Sequence, residues 1–416
     1  MMRTRTTRIA SAPGSTGMGS LFILLVCLAV STAPFITVPA SAQYLSNLEA
    51  RADDPLFATY AAPTDRSRFA IDQGYHFRYY DDAEAIAFTT AAAGVLGTAF
   101  HADGRVRLRP ADMAEPPVVT ASYNDLVRYR LRPFDDLVVE GHFQVYSSQL
   151  ALHELRVTNS GSSPITLDVT PYLAHEFEGP RQSDDRRAVH FEHEEQPDSW
   201  TIRHGVPFVA RRQSVFLVDE APAAFGHAGP AGREANATET GQRGVVDAES
   251  SAVLRRLFDV LRDESLVADS AGMLAFHHRM VLDPGATKRL RIVRGVDDAA
   301  SAPTDLRAAA EGLLDGHAQS DAESGVESGV EFGLREAERR YARIPELAFD
   351  DPLHEATYWN AFSLMEQVML PPEGESSYNY YVFSREPTWG WGHGGQVFHE
   401  SLTMLAYVYM NPEGAM

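Results

Sequence analysis

Hydrophobic and polar residues alternate with a period of two over much of the chain, from about Arg68 to Gly295. Gly, Pro, Asn and Asp interrupt the alternation at short intervals, as expected for short strands joined by turns. In the clearest segment, Leu150 to Pro171, two alternating runs flank the loop Asn-Ser-Gly-Ser-Ser-Pro. We predict a β-hairpin with one buried face there, and a β-sandwich for the region as a whole.

Further strands are predicted at Leu137–Tyr146, Ser214–Val218, Leu274–Leu282 and Lys288–Val293, because apolar residues recur at alternate positions or in short runs bounded by turn residues. The intervening segment Ala221–Glu249 is rich in Ala, Gly and acidic residues. We expect it to be an exposed excursion that contributes nothing to the core.

The pattern changes after Val296. A helix is predicted at Asp305–Leu314, followed by the short repetition Glu323–Glu331, which is typical of a mobile linker. Another helix is expected at Leu334–Ala342.

Two more helices, Pro352–Met369 and Phe398–Met410, carry apolar residues around most of their circumference. Helices of this kind are buried between neighbours. We expect these two to need packing partners beyond Met416, and the alternative is that they simply dock on the sandwich.

The N-terminus has the pattern of a secretory signal. Arginines occupy positions 3, 5 and 8, the apolar run Leu21–Val30 follows, and small residues at Ala40–Ala42 predict cleavage before Gln43. A membrane anchor is the alternative, but the run is about half of the roughly 20 residues that span a bilayer. We therefore predict a secreted or periplasmic protein with no membrane association after cleavage. The single cysteine, Cys27, lies inside the signal, so no disulfide is expected.

The formal net charge of −21 disfavours nucleic acid and anionic polymers as partners, because binding to phosphates needs a surplus of basic side chains. The 44% hydrophobic content is that of a globular protein. No cofactor or metal site is predicted. His277 and His278 are adjacent in a predicted strand and therefore point to opposite faces, and the cluster of His and Glu residues at 190–195 is interpreted as an exposed turn.

The segment Tyr378–Gln396 concentrates aromatic residues beside glycines. Sugars have apolar ring faces fringed by hydroxyls, and aromatic rings with nearby donors match that surface. We predict a carbohydrate-binding loop in which Trp389 and Trp391 stack on sugars and Tyr381 and Arg385 assist. Packing of the tryptophans between buried helices is the alternative.

Several short motifs resemble the N-terminal half of the (α/α)6-barrel glycoside hydrolases, and glycoside hydrolase family 63 with its bacterial relatives is the nearest. The motifs are Leu155-Arg-Val-Thr-Asn-Ser-Gly, Leu282-Asp-Pro-Gly, Asp351-Pro-Leu, Trp389-Gly-Trp-Gly-His and Tyr409-Met-Asn-Pro. The sandwich motifs are also similar to those of family 94 sugar phosphorylases.

This resemblance implies an α+β multidomain fold, with an antiparallel β-sandwich of the supersandwich type followed by the first helices of an incomplete (α/α)6 barrel. The implied organisation is a signal peptide at 1–42, the sandwich at 43–300, a helical linker with a mobile insertion at 301–349, and a truncated barrel at 350–416.

The resemblance also implies an inverting α-glucosidase-like hydrolase, which needs an acid and a basic carboxylate about 6.5 to 9.5 Å apart. Related enzymes carry an aspartate after a Trp-x-Trp element, whereas here Gly392 and His393 follow Trp391. A second register brings Glu400 to the position of the proton donor, although Glu400 also suits the first turn of a helix for electrostatic reasons. His393 and His399 are candidates to contact the sugar or to orient Glu400.

We expect this polypeptide alone to show no turnover, because no later segment supplies a general base. A noncatalytic carbohydrate-binding surface module and a sugar phosphorylase remain as alternative functions.

Overall fold

The structure is a computed structural model whose described residues all belong to one compact unit, 42–416. The described ranges are 44–52, 75–90, 94–147, 150–176, 190–192, 199–204, 212–220, 222–228, 248–269, 271–298, 306, 308–314, 329–367, 369–370, 380–381 and 397–415.

Strands account for most of the regular structure up to residue 298. In chain order they are β1 Ser46–Ala50, β2 His76–Arg78, β3 Ala87–Thr90, β4 Gly94–Ala102, β5 Arg105–Arg107, β6 Glu115–Tyr123, β7 Leu126–Arg132, β8 Leu137–Val145, β9 Leu150–Asn159, β10 Ile165–Glu176, β11 His190–Glu192, β12 Ser199–His204, β13 Arg212–Val218, β14 Ala224–Ala228, β15 Ala271–Leu282, β16 Thr287–Asp298, β17 Met369–Leu370 and β18 Tyr380–Tyr381.

The strands form two large antiparallel sheets. The first has nine strands in the order β1-β6-β7-β8-β9-β16-β13-β12-β11, and the second has seven, in the order β14-β15-β10-β4-β3-β2 with β5 also pairing with β4. The predicted strands are confirmed, and most extend by a few residues: the strand predicted at Lys288–Val293 becomes Thr287–Asp298.

Helices lie mainly in the C-terminal part: α1 Ala248–Asp263, α2 Gly329–Tyr341, α3 Pro352–Gln367 and α4 Val397–Met410. Residues 308–314 are also helical. The helix predicted to reach Met369 ends at Gln367, because Met369 and Leu370 pair with Tyr380 and Tyr381 as a short hairpin.

The main core lies between the two sheets. Alternate residues of each strand point inward, and Leu155 and Val157 of β9 join Leu167 and Val169 of β10 in one buried cluster, each 0% exposed. Residues 155 and 157 belong to the nine-stranded sheet, and residues 167 and 169 to the seven-stranded sheet. The period-two pattern therefore reports the shared interior of a sandwich.

The predicted hairpin at Leu150–Pro171 is wrong in its pairing. β9 pairs with β8 and β16, whereas β10 pairs with β15 and β4, so the loop at 160–164 crosses from one sheet to the other. The Asp283-Pro-Gly turn makes a second crossing from β15 to β16, with Gly285 at a φ of 76° that favours glycine. Alternation identifies the buried face of a strand but not its neighbour, which is why the sequence pattern could not separate the two arrangements.

Asn159 joins the two crossings. Its side chain is 0% exposed, and its Nδ2 donates hydrogen bonds to the backbone oxygens of Ser163 at 2.8 Å and Leu282 at 2.9 Å. Its Oδ1 accepts a hydrogen bond from the backbone N–H of Gly161 at 2.9 Å. The Asn159 side chain therefore connects the two segments that cross between the sheets, the loop at 160–164 and the turn after Leu282.

Replacing Asn159 with Ala is expected to lower the free energy of unfolding by about 2 kcal/mol, because the buried backbone oxygen of Leu282 and the backbone groups of Gly161 and Ser163 lose their partner. Urea unfolding followed by circular dichroism measures the change. Ser162→Ala, at an exposed position of the same loop, is the matched control and should change the stability by less than about 0.5 kcal/mol. Equal effects of the two substitutions would contradict the role assigned to Asn159.

The expectation that Ala221–Glu249 is an exposed excursion is wrong for its described parts. β14 pairs with β15, and Ala224 and Ala228 are 1% and 2% exposed. Glu249 lies in the first turn of α1, a helix that the sequence analysis did not predict. Small side chains occur here because α1 packs closely on this edge of the sheet: Gly226 leaves room for Leu254, which a Cβ atom would meet at 3.3 Å.

Helices cover parts of the outer faces of both sheets. Leu254, Leu257, Phe258 and Leu261 of α1 pack on the seven-stranded sheet. On the outer face of the nine-stranded sheet, Ala310 of the helical segment 308–314 packs in a small buried cluster with Leu306, Leu152 and Val293. The same sheet contacts α2 at β8, where Gly333 lies against the Gln144 side chain.

The C-terminal helices also pack on the sandwich. Tyr341 of α2, Trp359 and Phe362 of α3 and Met410 of α4 share one buried cluster with strand and turn residues that include Tyr123 and Leu126. Docking on the sandwich, the alternative in the sequence analysis, therefore occurs. It does not bury α4 completely: Leu402, Leu405, Val408 and Tyr409 are 54%, 70%, 41% and 47% exposed.

Arg340 links these helices to the sandwich through charge. Its Nη2 lies 3.3 Å from Asp125 Oδ1 in the turn between β6 and β7, and its Nε lies 3.4 Å from Glu366 Oε1 on α3. Glu366 of α3 thus pairs with a residue of the neighbouring helix α2.

Candidate functional site

The predicted sugar-binding loop is described only at its two ends. Trp389, Trp391, Arg385 and His393 lie outside the described residues. For Tyr381, His399 and Glu400 the backbone is described but the side chains are not. The structure therefore neither brings these residues together nor separates them, and their roles stay predictions.

The backbone of the two ends shows how the loop is framed. After α3, Met369 pairs with Tyr381 and Leu370 with Tyr380. The pairing brings residues 380–381 back beside the C-terminal end of α3, and the segment 382–396 follows. That segment ends at Val397, the first residue of α4. Glu400 is in the first turn of α4, where the helix dipole favours a carboxylate, so the simple electrostatic explanation remains open beside a catalytic one.

A polar pocket of about 210 Å³ lies on the outer face of the nine-stranded sheet, beside the first turn of α2. Its floor and walls come from outward-facing residues at alternate positions of three adjacent strands. On β7, β8 and β9 these are Arg128, Arg130, Glu140, His142, Glu154 and Arg156, and Glu331 of α2 closes one side.

The strand register places opposite charges next to each other across this pocket. Arg130 faces Glu140, which faces Arg156 on the next strand. In the neighbouring row His142 faces both Arg128 and Glu154. Opposite charges directly across an antiparallel pair attract each other, so the arrangement stabilises the sheet as well as forming a polar surface.

Glu154 is the most buried acid of the pocket, at 1% exposure. Its carboxylate accepts hydrogen bonds from Arg156 Nε at 2.8 Å and from Arg291 Nε at 3.1 Å. Arg291 is also 2% exposed and lies 3.8 Å from Asp219. Burial raises the pKa of Asp219 to about 6, although a hydrogen bond from the backbone of Arg291 and the charge of its side chain oppose the shift.

A second polar cluster lies on the outer face of the seven-stranded sheet, where α1 begins. The Asp168 carboxylate accepts hydrogen bonds from Arg279 Nε at 2.8 Å and lies 3.0 Å from His101 Nδ1. His277 Nε2 is 3.6 Å away, and Arg279 also donates to Glu249 of α1 at 3.2 Å. The cluster ties the start of α1 to three strands.

Burial alone would raise the pKa of the Asp168 carboxyl, but hydrogen bonds from Arg279 and His101 and the charge of His277 outweigh it and hold the pKa below its usual range. A depressed carboxyl pKa stabilises the fold above the unfolded-state value of about 3.9. That contribution disappears as the pH falls through the folded-state pKa.

Asp168→Asn is therefore expected to lower the free energy of unfolding by about 1–2 kcal/mol at pH 7, with the deficit relative to wild type shrinking as the pH falls toward 3. Urea unfolding at pH 7, 5, 4 and 3 measures it. The exposed Asp283→Asn is the matched control and should give a small, nearly constant difference. A deficit for Asp168→Asn that is the same at every pH would refute the electrostatic explanation.

Within the described part of the chain no group of three or more potential ligands is placed to hold a metal ion. His277 and His278 are adjacent in β15, as predicted, with His277 beside Asp168 on the outer face and His278 opposite Val169 in the register. His190 and Glu192 form a strand with β12 where a turn was expected, and residues 193–195 lie outside the described residues. Among the described helices, none has the length and apolar character needed to cross a membrane.

The pocket on the nine-stranded sheet and the Asp168 cluster were not predicted from the sequence. A signal was present in the alternating charged positions of Leu126–Arg132, Leu137–Val145 and Leu150–Asn159. Those positions become a site only when the strand order is known, because the charges come from separate strands.

No protein-family model matches the sequence, and no curated protein matches it. Several solved structures match the chain at low identity and with low TM-scores. A protein described as a kojibiose phosphorylase from the human microbiome matches at 8% identity with a TM-score of 0.46, over 82% of this chain and 40% of that one. A family GH92 α-mannosidase from Bacteroides thetaiotaomicron matches at 9% identity with a TM-score of 0.36, over 77% and 40%.

A protein described as an aldose 1-epimerase from Escherichia coli K12 matches at 11% identity with a TM-score of 0.26, over 50% of this chain and 84% of that one. The chain spans 40% of the length of the phosphorylase and of the mannosidase. Because all three TM-scores are below 0.5, these similarities establish neither a family nor an activity.

Proposed function

We propose that the chain is the N-terminal part of a secreted carbohydrate-active enzyme of the (α/α)6 class, an inverting glycoside hydrolase acting on α-linked glucosides. The observation that carries the proposal is the helix pair α3–α4 on the sandwich, which brackets a loop of the composition that binds sugars. In this proposal Trp389 and Trp391 stack on the substrate, Tyr381 and Arg385 assist, and His393 and His399 contact the sugar or orient the acid.

Two features of the described residues support this assignment. Arg340 bridges Asp125 and Glu366 and so links α3 to the sandwich, and Met410 of α4 lies in the same buried cluster as Tyr123. These contacts provide the rigid base that a binding loop needs. The α4 face that includes Leu402 and Leu405 is exposed, as expected for a helix whose partners are further helices of the same barrel.

Glu400 is proposed as the general acid. In an inverting enzyme the acid protonates the leaving oxygen while a second carboxylate activates water, with about 6.5 to 9.5 Å between them. Glu400 would need a raised pKa for this step, which partial burial near the sugar would provide.

The test is hydrolysis of maltose and aryl α-glucosides by the complete enzyme, with the anomer of the product followed by NMR. Glu400→Gln is expected to lower kcat by about 10²–10⁴-fold, because proton donation to the leaving group is lost. Glu413→Gln, an exposed acid just after α4, is the matched control and should keep full activity. Retained turnover in Glu400→Gln would remove Glu400 from the mechanism.

Changes in the stacking residues separate binding from chemistry. Trp389→Ala and Trp391→Ala should each raise KM by roughly tenfold, the effect of losing about 1.4 kcal/mol of ring contact. Phe332→Ala, an exposed aromatic residue on α2, should leave KM unchanged. Cleavage that requires phosphate would instead identify a sugar phosphorylase, and glucan binding without turnover by the complete protein would identify a noncatalytic module.

A further inference from the structure

We propose that the pocket on the outer face of the nine-stranded sheet is a second ligand site, which binds a neutral polyhydroxylated molecule the size of one sugar unit. This site lies on the sandwich and uses none of the residues of the loop between α3 and α4. The inference goes beyond the proposed function, because it adds a site that is not needed for hydrolysis.

The size of the pocket sets the first limit on its ligand. Its volume of about 210 Å³ corresponds to roughly seven water molecules at about 30 Å³ each. Sites for drug-sized ligands start at about 300 Å³. One six-membered sugar ring fits the space, whereas an oligosaccharide would have to extend out of it.

The charge of the pocket sets the second limit. Three guanidinium groups, Arg128, Arg130 and Arg156, face three carboxylates, Glu140, Glu154 and Glu331. The formal charges of these six lining residues cancel, so the lining itself has no net charge that would select an ion of one sign. A hydroxyl group both donates and accepts hydrogen bonds, and neighbouring hydroxyls can therefore match a surface that alternates between donors and acceptors.

The inner part of the pocket is held in place by its own contacts. Glu154 receives hydrogen bonds from Arg156 and Arg291, and Arg128 forms an ion pair with Glu331 of α2. These side chains are oriented before any ligand arrives, which reduces the entropy lost on binding.

The rim provides groups that are available to a ligand. Arg130 approaches Glu49 and Glu115 only at 3.6 and 3.9 Å, which is longer than a hydrogen bond. Glu140 lies directly opposite Arg130 across the strands and is exposed, and among the described residues its carboxylate forms no side-chain hydrogen bond and acts on Arg156 only through its charge. A vicinal diol can accept from the guanidinium with one hydroxyl and donate to the carboxylate with the other.

Calorimetric titration of the purified chain with maltose tests the site, in a Trp389→Ala/Trp391→Ala background that removes the loop site. We expect residual maltose binding in this background and a weakening of at least tenfold on adding Arg130→Gln or Glu140→Gln. Asp259→Asn, which removes one exposed charge on α1, is the matched control and should leave the affinity for maltose unchanged. Glucose should also bind in this background, and gluconate and glucosamine, which have the same size but carry a charge, should bind more weakly than glucose.

The absence of residual binding in the double tryptophan background would overturn the proposal, as would equal binding by Arg130→Gln, Glu140→Gln and Asp259→Asn. Either result would mean that the charges serve only to hold the sheet and α2 together. Thermal unfolding of each variant verifies that it is folded. If the tryptophan substitutions leave maltose binding intact while the pocket substitutions abolish it, the proposed function of the loop fails and the second site stands.

Discussion

Arg291→Met is expected to lower the free energy of unfolding by about 3–5 kcal/mol, because it removes one partner of a buried ion pair. Glu154 is 1% exposed and would keep only Arg156, and Asp219, whose pKa burial raises to about 6, would lose the opposing charge of Arg291 at 3.8 Å. Methionine has a similar volume to arginine, so the loss reports charge more than packing. Urea unfolding at pH 7 measures the change.

Two variants show whether charge is the cause. Lys288→Met removes the chain's single lysine from an exposed position in the same strand and should change the stability by less than about 0.5 kcal/mol. The double variant Arg291→Met/Glu154→Leu replaces both charges and should be more stable than Arg291→Met alone, since a buried pair is often replaceable by apolar residues. A double variant that is less stable than the single one would contradict the explanation.

Phe143→Ala is the second large effect, with an expected loss of about 3–5 kcal/mol. Phe143 is 0% exposed and its ring stacks on Phe88 with centroids 3.9 Å apart and an interplanar angle of 11°. Phe143 belongs to the nine-stranded sheet and Phe88 to the seven-stranded sheet, so the contact joins the two layers. Its removal leaves a cavity at the centre of the sandwich.

Chemical unfolding of Phe143→Ala and Phe143→Leu separates cavity size from aromatic stacking, and the leucine variant should recover a large part of the loss. Phe332→Ala is the matched control, because Phe332 is 54% exposed. A similar loss in Phe143→Ala and Phe332→Ala would mean that the two sheets are not held together by this contact.

Local patterning along the chain was enough to locate the main strands and helices. Period-two alternation located β8, β9, β10, β13, β15 and β16, and apolar residues around the helix axis located α3 and α4. These predictions succeed because each residue's preference for a buried or exposed side depends on its neighbours within one element. The apolar residues around most of the circumference of α4 likewise indicated that part of this helix would lack packing partners.

Which strands and helices contact one another depends on the three-dimensional fold. Leu155 and Leu167 have the same alternating pattern, and only the fold places them on opposite sheets with Asn159 at the corner. In the sequence nothing distinguishes Arg130, Glu140 and Arg156 from other outward-facing residues. The register of three strands places them side by side. Sites formed from separate strands depend on long-range pairing, and a local pattern contains no information about which partner a strand will choose.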